Sequence, residues 1–537
     1  MNPPEMTIAY LTKDIITAQH QGDKCLISRI SCILLDNPGR SGMIGQRTLK
    51  GLPRTMAKVA LVNPQLASSG WTRGLRPRHM DDLLPRHSLT YLSASLKAAG
   101  HTVLLLDLRL LSSWDDYEAA LERERPGFVC VTAHTSEMDY ALECFARAKR
   151  MLPGCVTVGG GIHLTMDPEA GLACGALDFV LRGEGEVSLP ELVGAPGQFP
   201  PTFWGEPPDL DRIPFEDREL YPDYGERVKF PLWDLPTPIV DVLTKRGCPW
   251  KCRFCCGPGE QNLYTRPARY DPEVRIPTFR HRSVPHVIAE LEQLHRKYAI
   301  RGVIFHDDQF LIRKNWVIEF CQALRDAGFV ERGIRWWAAS RGDVICKFPD
   351  VIERMRDAGL QILSIGFESF SDRMLDWMKK QTSRDQNLRA AEICRTLGID
   401  IFANVILGMP DSDGEWHLQD DLASLDAIRE IRPRYFSPSF FSPIPGSWFH
   451  GWAKENDLIL GAEPGVLGSR TPDEMRVRGV DYARLKRVLA DFKKEMGYEA
   501  QPGPSLVFRL KRFWQKPFAE KLGTLKKKLS RAGSFRA

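Results

Sequence analysis

The stretch IVDVLTKRGCPWKCRFCC, residues 239–256, places a short apolar strand directly before a cysteine-rich loop. Within this loop, Cys248, Cys252 and Cys255 have the spacing C-x3-C-x2-C. Three thiolates can bind three irons of a [4Fe–4S] cube and leave the fourth iron open to another ligand. We therefore predict an iron–sulfur cluster at this loop.

Two other uses of these cysteines explain the pattern less well. A structural zinc site needs four protein ligands in a closed shell, whereas the cysteines outside the loop are scattered singly. Cys256 adjoins Cys255, and adjacent residues rarely reach one ion with good geometry. Burial in a core accounts for single cysteines such as Cys130 and Cys321, but not for a triplet in a loop marked by glycine and proline. The odd, clustered set of thirteen cysteines also disfavours a disulfide framework.

Downstream of the loop, apolar β-rich runs alternate with helical stretches. This alternation is typical of parallel βα units, and six units exceed the needs of a plain nucleotide-binding domain. We therefore expect a partial (β/α)6 barrel over residues 239–455, with its chemistry at the carboxyl ends of the strands. The predicted strands are 239–244, 303–306, 334–340, 362–367, 401–407 and 435–441, and the predicted helices are 284–298, 314–327, 349–358, 385–398 and 415–430.

A second alternation lies upstream, over residues 57–195. Its strands are near-continuous apolar runs, which indicates a parallel sheet covered on both faces. We predict an α/β, doubly wound, Rossmann-like domain whose ligand lies at the carboxyl ends of the strands. The predicted strands are 59–62, 103–107, 128–132, 156–160 and 178–181, and the predicted helices are 87–99, 115–124, 137–152 and 168–174.

The remaining segments join or flank these two domains. Residues 196–238 contain ten prolines, which disfavour regular structure, so we assign an interdomain linker there. Residues 1–56 show no sustained periodicity and form a predicted irregular extension, within which Met43 and Met56 offer alternative starts. Residues 456–537 are expected to form a small helical C-terminal region that ends in a basic tail.

Composition excludes several classes of protein. The chain is 43% hydrophobic and 26% charged, which are ordinary values for globular domains and exclude collagen, coiled coil and wholesale disorder. No apolar run reaches the roughly 18 residues of a spanning helix, and the N-terminus lacks the pattern of a secretory signal. We therefore expect a cytoplasmic protein.

The net charge of +5 is unevenly distributed. Residues 505–537 hold ten Lys/Arg and one Glu, so the rest of the chain is slightly acidic and nucleic-acid binding is not expected. Phe518, Leu522, Leu525 and Leu529 recur at helical spacing among the lysines of this tail. The pattern predicts an amphipathic helix in peripheral contact with the inner membrane face. A solvated terminus is the alternative.

The cysteine loop resembles the signature of the radical SAM superfamily, and later strand ends extend the resemblance. FHDDQF at 305–310 matches the Asp-Asp-x-Phe form of the branch that carries an N-terminal cobalamin domain. SRGD at 340–343, IGFES at 365–369 and VILGMP at 405–410 resemble later strand ends that contact S-adenosyl-L-methionine (SAM). The resemblance implies SAM binding by Phe254, Asp307, Asp308, Ser340, Arg341, Glu368 and Leu407.

The upstream domain resembles the cobalamin-binding domain of the same branch. The resemblance is carried by Asn63-Pro64, by GGGIHLT at 159–165 with Pro168-Glu169, and by RGEGE at 182–186. Glycines at a strand end let a flat macrocycle approach the backbone, and the absence of G-x-G-x-x-G disfavours a dinucleotide. The D-x-H-x-x-G pattern is also absent, so we expect cobalt to lack a histidine ligand and His163 to order its loop. The resemblance implies cobalamin binding by Asn63, Thr132, Gly160, Gly161, His163, Thr165, Glu184 and Gly185.

Together these resemblances imply a cobalamin-dependent radical SAM enzyme of the class B methyltransferase or anaerobic magnesium-protoporphyrin ester cyclase type. The implied cofactors are a [4Fe–4S] cluster, SAM and cobalamin, and the implied reaction is C-methylation of an unactivated carbon through a 5′-deoxyadenosyl radical and methylcobalamin. Oxidative ring closure on a tetrapyrrole and a non-enzymatic cobalamin sensor are the alternatives. The expected partners are an electron donor of flavodoxin or ferredoxin type and a small-molecule substrate such as a lipid or pigment.

Overall fold

The structure, a computed structural model, describes residues 56–64, 84–257, 279–460 and 477–498. The predicted extension, except for Met56, and the predicted basic tail lie outside these described residues. Within them, the alternation of strands and helices expected from the sequence is confirmed. None of the described helices has the length and apolar character needed to cross a bilayer.

The upstream sheet has six parallel strands in the order β2-β1-β3-β4-β5-β6. Its central strands are almost wholly buried, because apolar residues occupy both faces and helices cover each face. The strands are β1 (Lys58–Asn63), β2 (Thr102–Asp107), β3 (Phe128–Thr132), β4 (Val156–Gly160), β5 (Phe179–Arg182) and β6 (Thr202–Trp204). The accompanying helices are α1 (His87–Ala98), α2 (Trp114–Glu124), α3 (Met138–Met151), α4 (Ile162–Met166), α5 (Pro168–Leu172), α6 (Ser188–Gly194) and α7 (Tyr224–Arg227).

The strand β6 lies in the segment that the sequence predicts to be a linker. It pairs in parallel with β5 and buries Phe203 in the core. Three residues flanked by Pro200 and Pro201 are too few to show a strand periodicity. The upstream sheet therefore has six strands where five were expected, and it extends beyond residue 195.

The downstream sheet is open and parallel, in the order β14-β13-β12-β11-β10-β7, which confirms the partial barrel. The first predicted strand, 239–244, is shorter than expected: after β7 the chain leaves the sheet, and β8 pairs antiparallel with β9. The strands are β7 (Ile239–Val242), β8 (Lys245–Gly247), β9 (Phe279–His281), β10 (Gly302–Phe305), β11 (Arg335–Arg341), β12 (Leu360–Glu368), β13 (Asp400–Leu407) and β14 (Tyr435–Phe440).

Helices return the chain between these strands, and several begin at caps that the sequence encodes. Ser383 and Gln386 form a capping box at the start of α13, which satisfies two backbone donors reciprocally. Ser283 likewise caps α8 by accepting a hydrogen bond from the His286 amide. The helices are α8 (Val284–Tyr298), α9 (Lys314–Asp326), α10 (Gly342–Lys347), α11 (Pro349–Asp357), α12 (Asp372–Trp377), α13 (Arg384–Thr396), α14 (Leu418–Ile431), α15 (Trp448–Glu455) and α16 (Tyr482–Met496).

The C-terminal helix α16 packs against the barrel beside the end of β13. A Cβ on Gly408 would lie 2.9 Å from Leu485 of this helix, and Gly408 has a φ of 72°. Glycine is therefore needed at this position both for space and for backbone conformation. Phe492 of α16 also packs edge-on against Phe436, with ring centroids 5.4 Å apart. The expected C-terminal helical region thus contributes to the barrel core.

Candidate active site

The cysteine loop begins where β8 ends, at Gly247. Cys252 is buried, whereas Cys248 and Cys255 are half-buried. Burial raises the pKa of the Cys248 thiol to about 11, because an apolar environment disfavours a thiolate. Thiolates in this loop therefore need positive charge close by, from a metal or from side chains.

Two buried cations lie beside Cys252. Arg341, the last residue of β11, donates from Nη1 to Cys252 Sγ at 3.3 Å. Burial raises the pKa of Cys252, but the charges of Lys380 and Arg341 act in the opposite direction. Three cysteines next to two cations fit an anionic iron–sulfur cluster bound by three thiolates.

Lys380 is not among the site residues predicted from the sequence. This residue follows α12 in a connection between helices and is only 4% exposed. Its Nζ donates to Oε1 of Glu368 at 2.9 Å, so it links one predicted SAM residue to the cysteine loop. The only sequence signal is the pair Lys379-Lys380, and charged pairs usually mark a solvated surface.

The two adjacent aspartates after β10 have different environments. Asp307 is buried and accepts hydrogen bonds from the Thr244 amide at 2.8 Å, the Thr244 hydroxyl at 2.6 Å and the Lys245 amide at 3.1 Å. It therefore holds the crossing between β7 and β8 in place. Asp308 presents an open surface at the wall of a cavity. Desolvation by the surrounding cavity walls and the charge of Asp307 raise the pKa of Asp308, so a cationic ligand there would relieve an unfavourable negative charge.

The other predicted SAM residues lie near the same edge of the sheet. Ser340 is buried and its hydroxyl accepts a hydrogen bond from Gln309 at 3.2 Å. Glu368 ends β12 with a φ of 63°, an uncommon conformation for a residue other than glycine. The ring of Phe254 lies 5.6 Å from Lys380 Nζ. Leu407 is fully buried at the end of β13, and its carbonyl accepts a hydrogen bond from the Phe441 amide at 2.8 Å.

A cavity of about 340 Å³ lies between the carboxyl edges of the two sheets. It is lined on the upstream side by the ends of β3, β4 and β5, and on the downstream side by β8 and the turn after β10. Its walls are mostly apolar, which excludes water from a bound group. Five predicted cobalamin residues line it, namely Thr132, Gly160, Gly161, Glu184 and Gly185.

The other three predicted cobalamin residues order the loops behind this wall. Asn63 is fully buried and donates to Asp107 at 3.2 Å. His163 Nδ1 lies 3.1 Å from the Thr135 hydroxyl. The Thr165 hydroxyl accepts a hydrogen bond from the Gly183 amide at 3.0 Å. The structure therefore brings together five of the eight residues at the cavity.

The cavity wall at Gly161 consists of backbone. A Cβ at this position would lie 2.7 Å from the Ala133 amide nitrogen, and the φ of 90° is one that side-chain-bearing residues rarely adopt. The glycines of this segment add no side chains to the cavity, which leaves room for a flat, bulky ring such as the corrin of cobalamin. The residues present are therefore compatible with that cofactor.

Ion pairs connect the two sides of the cavity. Arg246 of β8 donates to Glu184 at 2.5 Å and to Glu186 at 2.6 Å. Arg280 of β9 also pairs with Glu184. Because Glu184 and Glu186 belong to the RGEGE turn, these pairs fix the upstream wall relative to the strand that leads into the cysteine loop.

Two family models match the chain in the same order as these two sheets. The B12 binding domain matches residues 82–193, and the Radical SAM superfamily matches residues 242–422. The first model includes β2 to β5, and the second begins at the end of β7 and includes the cysteine loop.

Curated relatives extend the similarity over most of the chain. An uncharacterized methyltransferase of Pyrococcus horikoshii is 28% identical, covering 70% of this chain and 80% of the relative. Hopanoid C-3 methylase of Methylococcus capsulatus is 27% identical, covering 77% of each. The anaerobic magnesium-protoporphyrin IX monomethyl ester cyclase of Rubrivivax gelatinosus is 29% identical, covering 61% of this chain and 59% of the relative.

A solved structure shares the fold. The radical S-adenosylmethionine methyltransferase TsrM of Kitasatospora setae superposes with a TM-score of 0.51 at 19% identity, covering 74% of this chain and 76% of TsrM. The two family models imply a [4Fe–4S] cluster, SAM and cobalamin as cofactors, and structures of TsrM contain a SAM analogue or cobalamin with a [4Fe–4S] cluster. The chain is a cobalamin-dependent enzyme of the radical SAM superfamily, with its B12-binding domain preceding its radical SAM domain.

Proposed function

We propose that this enzyme is a C-methyltransferase that acts on an unactivated carbon of a hydrophobic small molecule, such as a lipid or pigment. The observation that carries the proposal is the cavity between the two sheets, where five predicted cobalamin residues face Gly247 and Asp308 beside the cysteine loop. When bound, the cluster and SAM supply radical chemistry that removes hydrogen from carbon, and cobalamin supplies a transferable methyl group. A shared cavity places both chemistries within reach of one substrate.

At the proposed cluster and SAM site, charged side chains interact with the bound groups. We assign Cys248, Cys252 and Cys255 as the cluster ligands. Arg341 and Lys380 stabilise the negative charge of that assembly, because both lie in a site where burial weakens screening. Asp308 is the best-placed carboxylate for the ammonium group of SAM, since Asp307 is already engaged by three donors.

At the proposed cobalamin site, the shape and apolar character of the cavity wall accommodate the cofactor. Gly160 and Gly161 provide the flat wall, and apolar neighbours such as Leu61 and Val158 exclude water. Arg246 holds the RGEGE turn against β8. With an external electron donor of flavodoxin or ferredoxin type, these parts meet the needs of the proposed reaction.

The radical chemistry is tested by anaerobic reconstitution with iron, sulfide, cobalamin, SAM and a reductant. We expect the wild type to form 5′-deoxyadenosine and Cys252→Ala to lose both that activity and most of its bound iron. Cys256→Ala is the matched control, since it removes a neighbouring thiol outside the proposed ligand set. Undiminished 5′-deoxyadenosine formation in Cys252→Ala would exclude the proposed cluster ligands.

Methyl transfer itself is tested with deuterium label. Cells that produce the enzyme receive methionine with a trideuterated methyl group, and their lipid and pigment extracts are searched by mass spectrometry. A methyltransferase yields a product that carries all three deuterium atoms and disappears in Cys252→Ala. A product that depends on Cys252 but carries no more label than the precursor that accumulates in Cys252→Ala would contradict methyl transfer.

Oxidative ring closure on a tetrapyrrole is the second candidate. It is favoured by the identity of 29% with the Rubrivivax cyclase. A product that has lost hydrogen and has gained no label relative to its precursor would support it.

The basic tail stays a prediction, and its membrane contact is tested separately. Full-length protein and a truncation to residues 1–504 are sedimented with anionic liposomes. Peripheral attachment requires that only the full chain sediments, and equal partition would refute it.

A further inference from the structure

Three side chains from different elements converge at the rim of the cavity, near the cofactor sites described above. His87 begins α1 of the B12-binding domain, whereas Asp241 of β7 and His306 after β10 belong to the radical SAM domain. Their nearest side-chain nitrogen and oxygen atoms all lie within 4.8 Å of one another. His87 and His306 line the cavity, so the cluster is reachable from it.

The contacts in this cluster are too irregular for a hydrogen-bonded network. Oδ2 of Asp241 lies 3.1 Å from His87 Nε2 and 3.8 Å from His306 Nδ1. Asp241 is 1% exposed, and its Oδ2 is close enough to His87 Nε2 for an ion pair, but the two atoms are not aligned for a hydrogen bond. A buried contact with poor alignment stabilises less than a well-formed hydrogen bond, so a cation between these atoms would improve it.

Ligands of one metal ion have this arrangement. With bonds of about 2.1 Å, the ligand atoms of a tetrahedral zinc site are separated by roughly 3.4 Å and do not point at one another. The separations of 3.1 and 3.8 Å in the cluster bracket that value. The ligand atoms of His87 and His306 lie within 4.8 Å of each other, so a bound ion would draw the two histidines together.

The surroundings of His87 orient it as a metal ligand. Its Nδ1 lies 2.9 Å from Oε2 of Glu216, which also accepts from the Thr90 hydroxyl at 2.7 Å. Arg218 pairs with the same carboxylate group at 3.1 Å. A histidine that donates from one ring nitrogen to a fixed carboxylate presents the other nitrogen to a metal, as in carboxylate–histidine–metal triads.

We propose that His87, Asp241 and His306 bind a divalent transition metal ion, with zinc as the reference ion, distinct from the iron–sulfur cluster. Two imidazoles and one carboxylate leave at least one coordination position open, and that position faces the cavity. The ion would join the two domains across the cavity and offer a Lewis-acidic point for an oxygen of the substrate. This site does not depend on the proposed methyl transfer.

The first test measures zinc binding in a variant that lacks the three proposed cluster cysteines, so that zinc held by those thiols is not counted. In the Cys248→Ala, Cys252→Ala, Cys255→Ala triple variant, zinc cannot occupy the cluster loop. After equilibration with zinc and gel filtration, we expect about one zinc per chain in this background by elemental analysis. Adding His87→Gln or Asp241→Asn should reduce the zinc at least about tenfold. His417→Gln is the matched control, because His417 also pairs with a carboxylate, Asp411 at 2.9 Å.

Zinc X-ray absorption on anaerobic wild-type holoenzyme is the second measurement and requires no variant. Nitrogen and oxygen ligands alone support the site, whereas zinc–sulfur bonds of about 2.3 Å would place the ion on the cysteines. The proposal is overturned by that result, by absence of retained zinc, or by equal zinc in the His87→Gln variant and its parent. A failed methyl-transfer assay leaves these readouts unchanged, so the two proposals fail separately.

Discussion

The carboxyl edges of the two sheets bind their proposed cofactors in contrasting ways. At the radical SAM edge, charged side chains such as Arg341, Lys380 and Glu368 surround the cysteine loop. At the B12-binding edge, the wall is formed by backbone at Gly160 and Gly161 together with apolar neighbours. The first edge recognises charge and the second recognises shape. Substitutions that change charge should therefore act on SAM chemistry, and substitutions that add volume should act on cobalamin.

The largest effect is expected at Lys380. Lys380→Met leaves Glu368 without its buried partner and removes a cation near Cys252, and loss of one member of a buried pair costs about 3–5 kcal/mol. We expect 5′-deoxyadenosine formation to fall at least about 100-fold. Lys379→Met is the control, since Lys379 is exposed. Equal activity in the two variants would remove Lys380 from the proposed SAM site.

A second comparison concerns the adjacent aspartates. Asp308→Asn should raise the KM for SAM about 10- to 150-fold, as expected for loss of a charge-assisted hydrogen bond of roughly 1.5–3 kcal/mol, with little change in melting temperature. Asp307→Asn should instead lower the melting temperature, because Asp307 accepts three hydrogen bonds at the crossing between β7 and β8. A change in melting temperature for Asp308→Asn and a change in the KM for SAM for Asp307→Asn would show that the two roles are assigned the wrong way round.

The pH dependence of SAM binding sharpens this comparison. An ammonium ligand needs Asp308 as a carboxylate, and the pKa of Asp308 is raised by desolvation at the cavity wall and by the charge of Asp307. As the pH falls, Asp308 therefore becomes protonated at a higher pH than an ordinary aspartate does. The affinity of the wild type for SAM should weaken as the pH falls through this raised pKa. The affinity of Asp308→Asn should stay flat there, and parallel profiles for the two proteins would contradict the assignment.

The shape-dependent edge is tested at Gly161. Gly161→Ala places a Cβ 2.7 Å from the Ala133 nitrogen in a backbone conformation of positive φ, which costs about 1–3 kcal/mol. We expect a lower melting temperature and weaker cobalamin binding, with iron content unchanged. Gly154→Ala is the control, because its Cβ would meet no atom within 4 Å. A loss of iron in Gly161→Ala would show that the two edges are not independent.

The contrast between the edges also explains what the sequence could predict. Cys248, Cys252 and Cys255 lie within one short loop, and most strands that precede the predicted site residues are apolar runs that alternate regularly with helices, so periodicity and spacing locate both edges. Lys380 could not be predicted because it reaches Cys252 only through the packing of a distant connection between helices. The strand β6 was missed because three residues between prolines carry no period.

The direction of individual side chains could not be predicted from the sequence either. Asp307 and Asp308 are equivalent in a motif and both border the cavity, yet Asp307 is buried by its hydrogen bonds to a backbone crossing, whereas Asp308 is exposed. Likewise Gly161 and His163 belong to one glycine-rich segment, but only Gly161 lines the cavity wall. A sequence motif identifies a strand end, whereas the turn geometry that follows decides which of its residues a ligand meets.

The smallest effect is expected at His163, which lies outside the cavity wall and contacts Thr135. His163→Ala should destabilise the fold by only about 0.5–1.5 kcal/mol, as for one lost hydrogen bond. Cobalamin reduced to the cob(II) state should show no nitrogen splitting from a histidine in the EPR spectrum of either protein. Thr135→Val, which removes the same hydrogen bond and keeps the imidazole, is the matched control. A nitrogen splitting that disappears in His163→Ala but persists in Thr135→Val would make His163 a cobalt ligand, and the B12-binding edge would then also recognise its cofactor through a side chain.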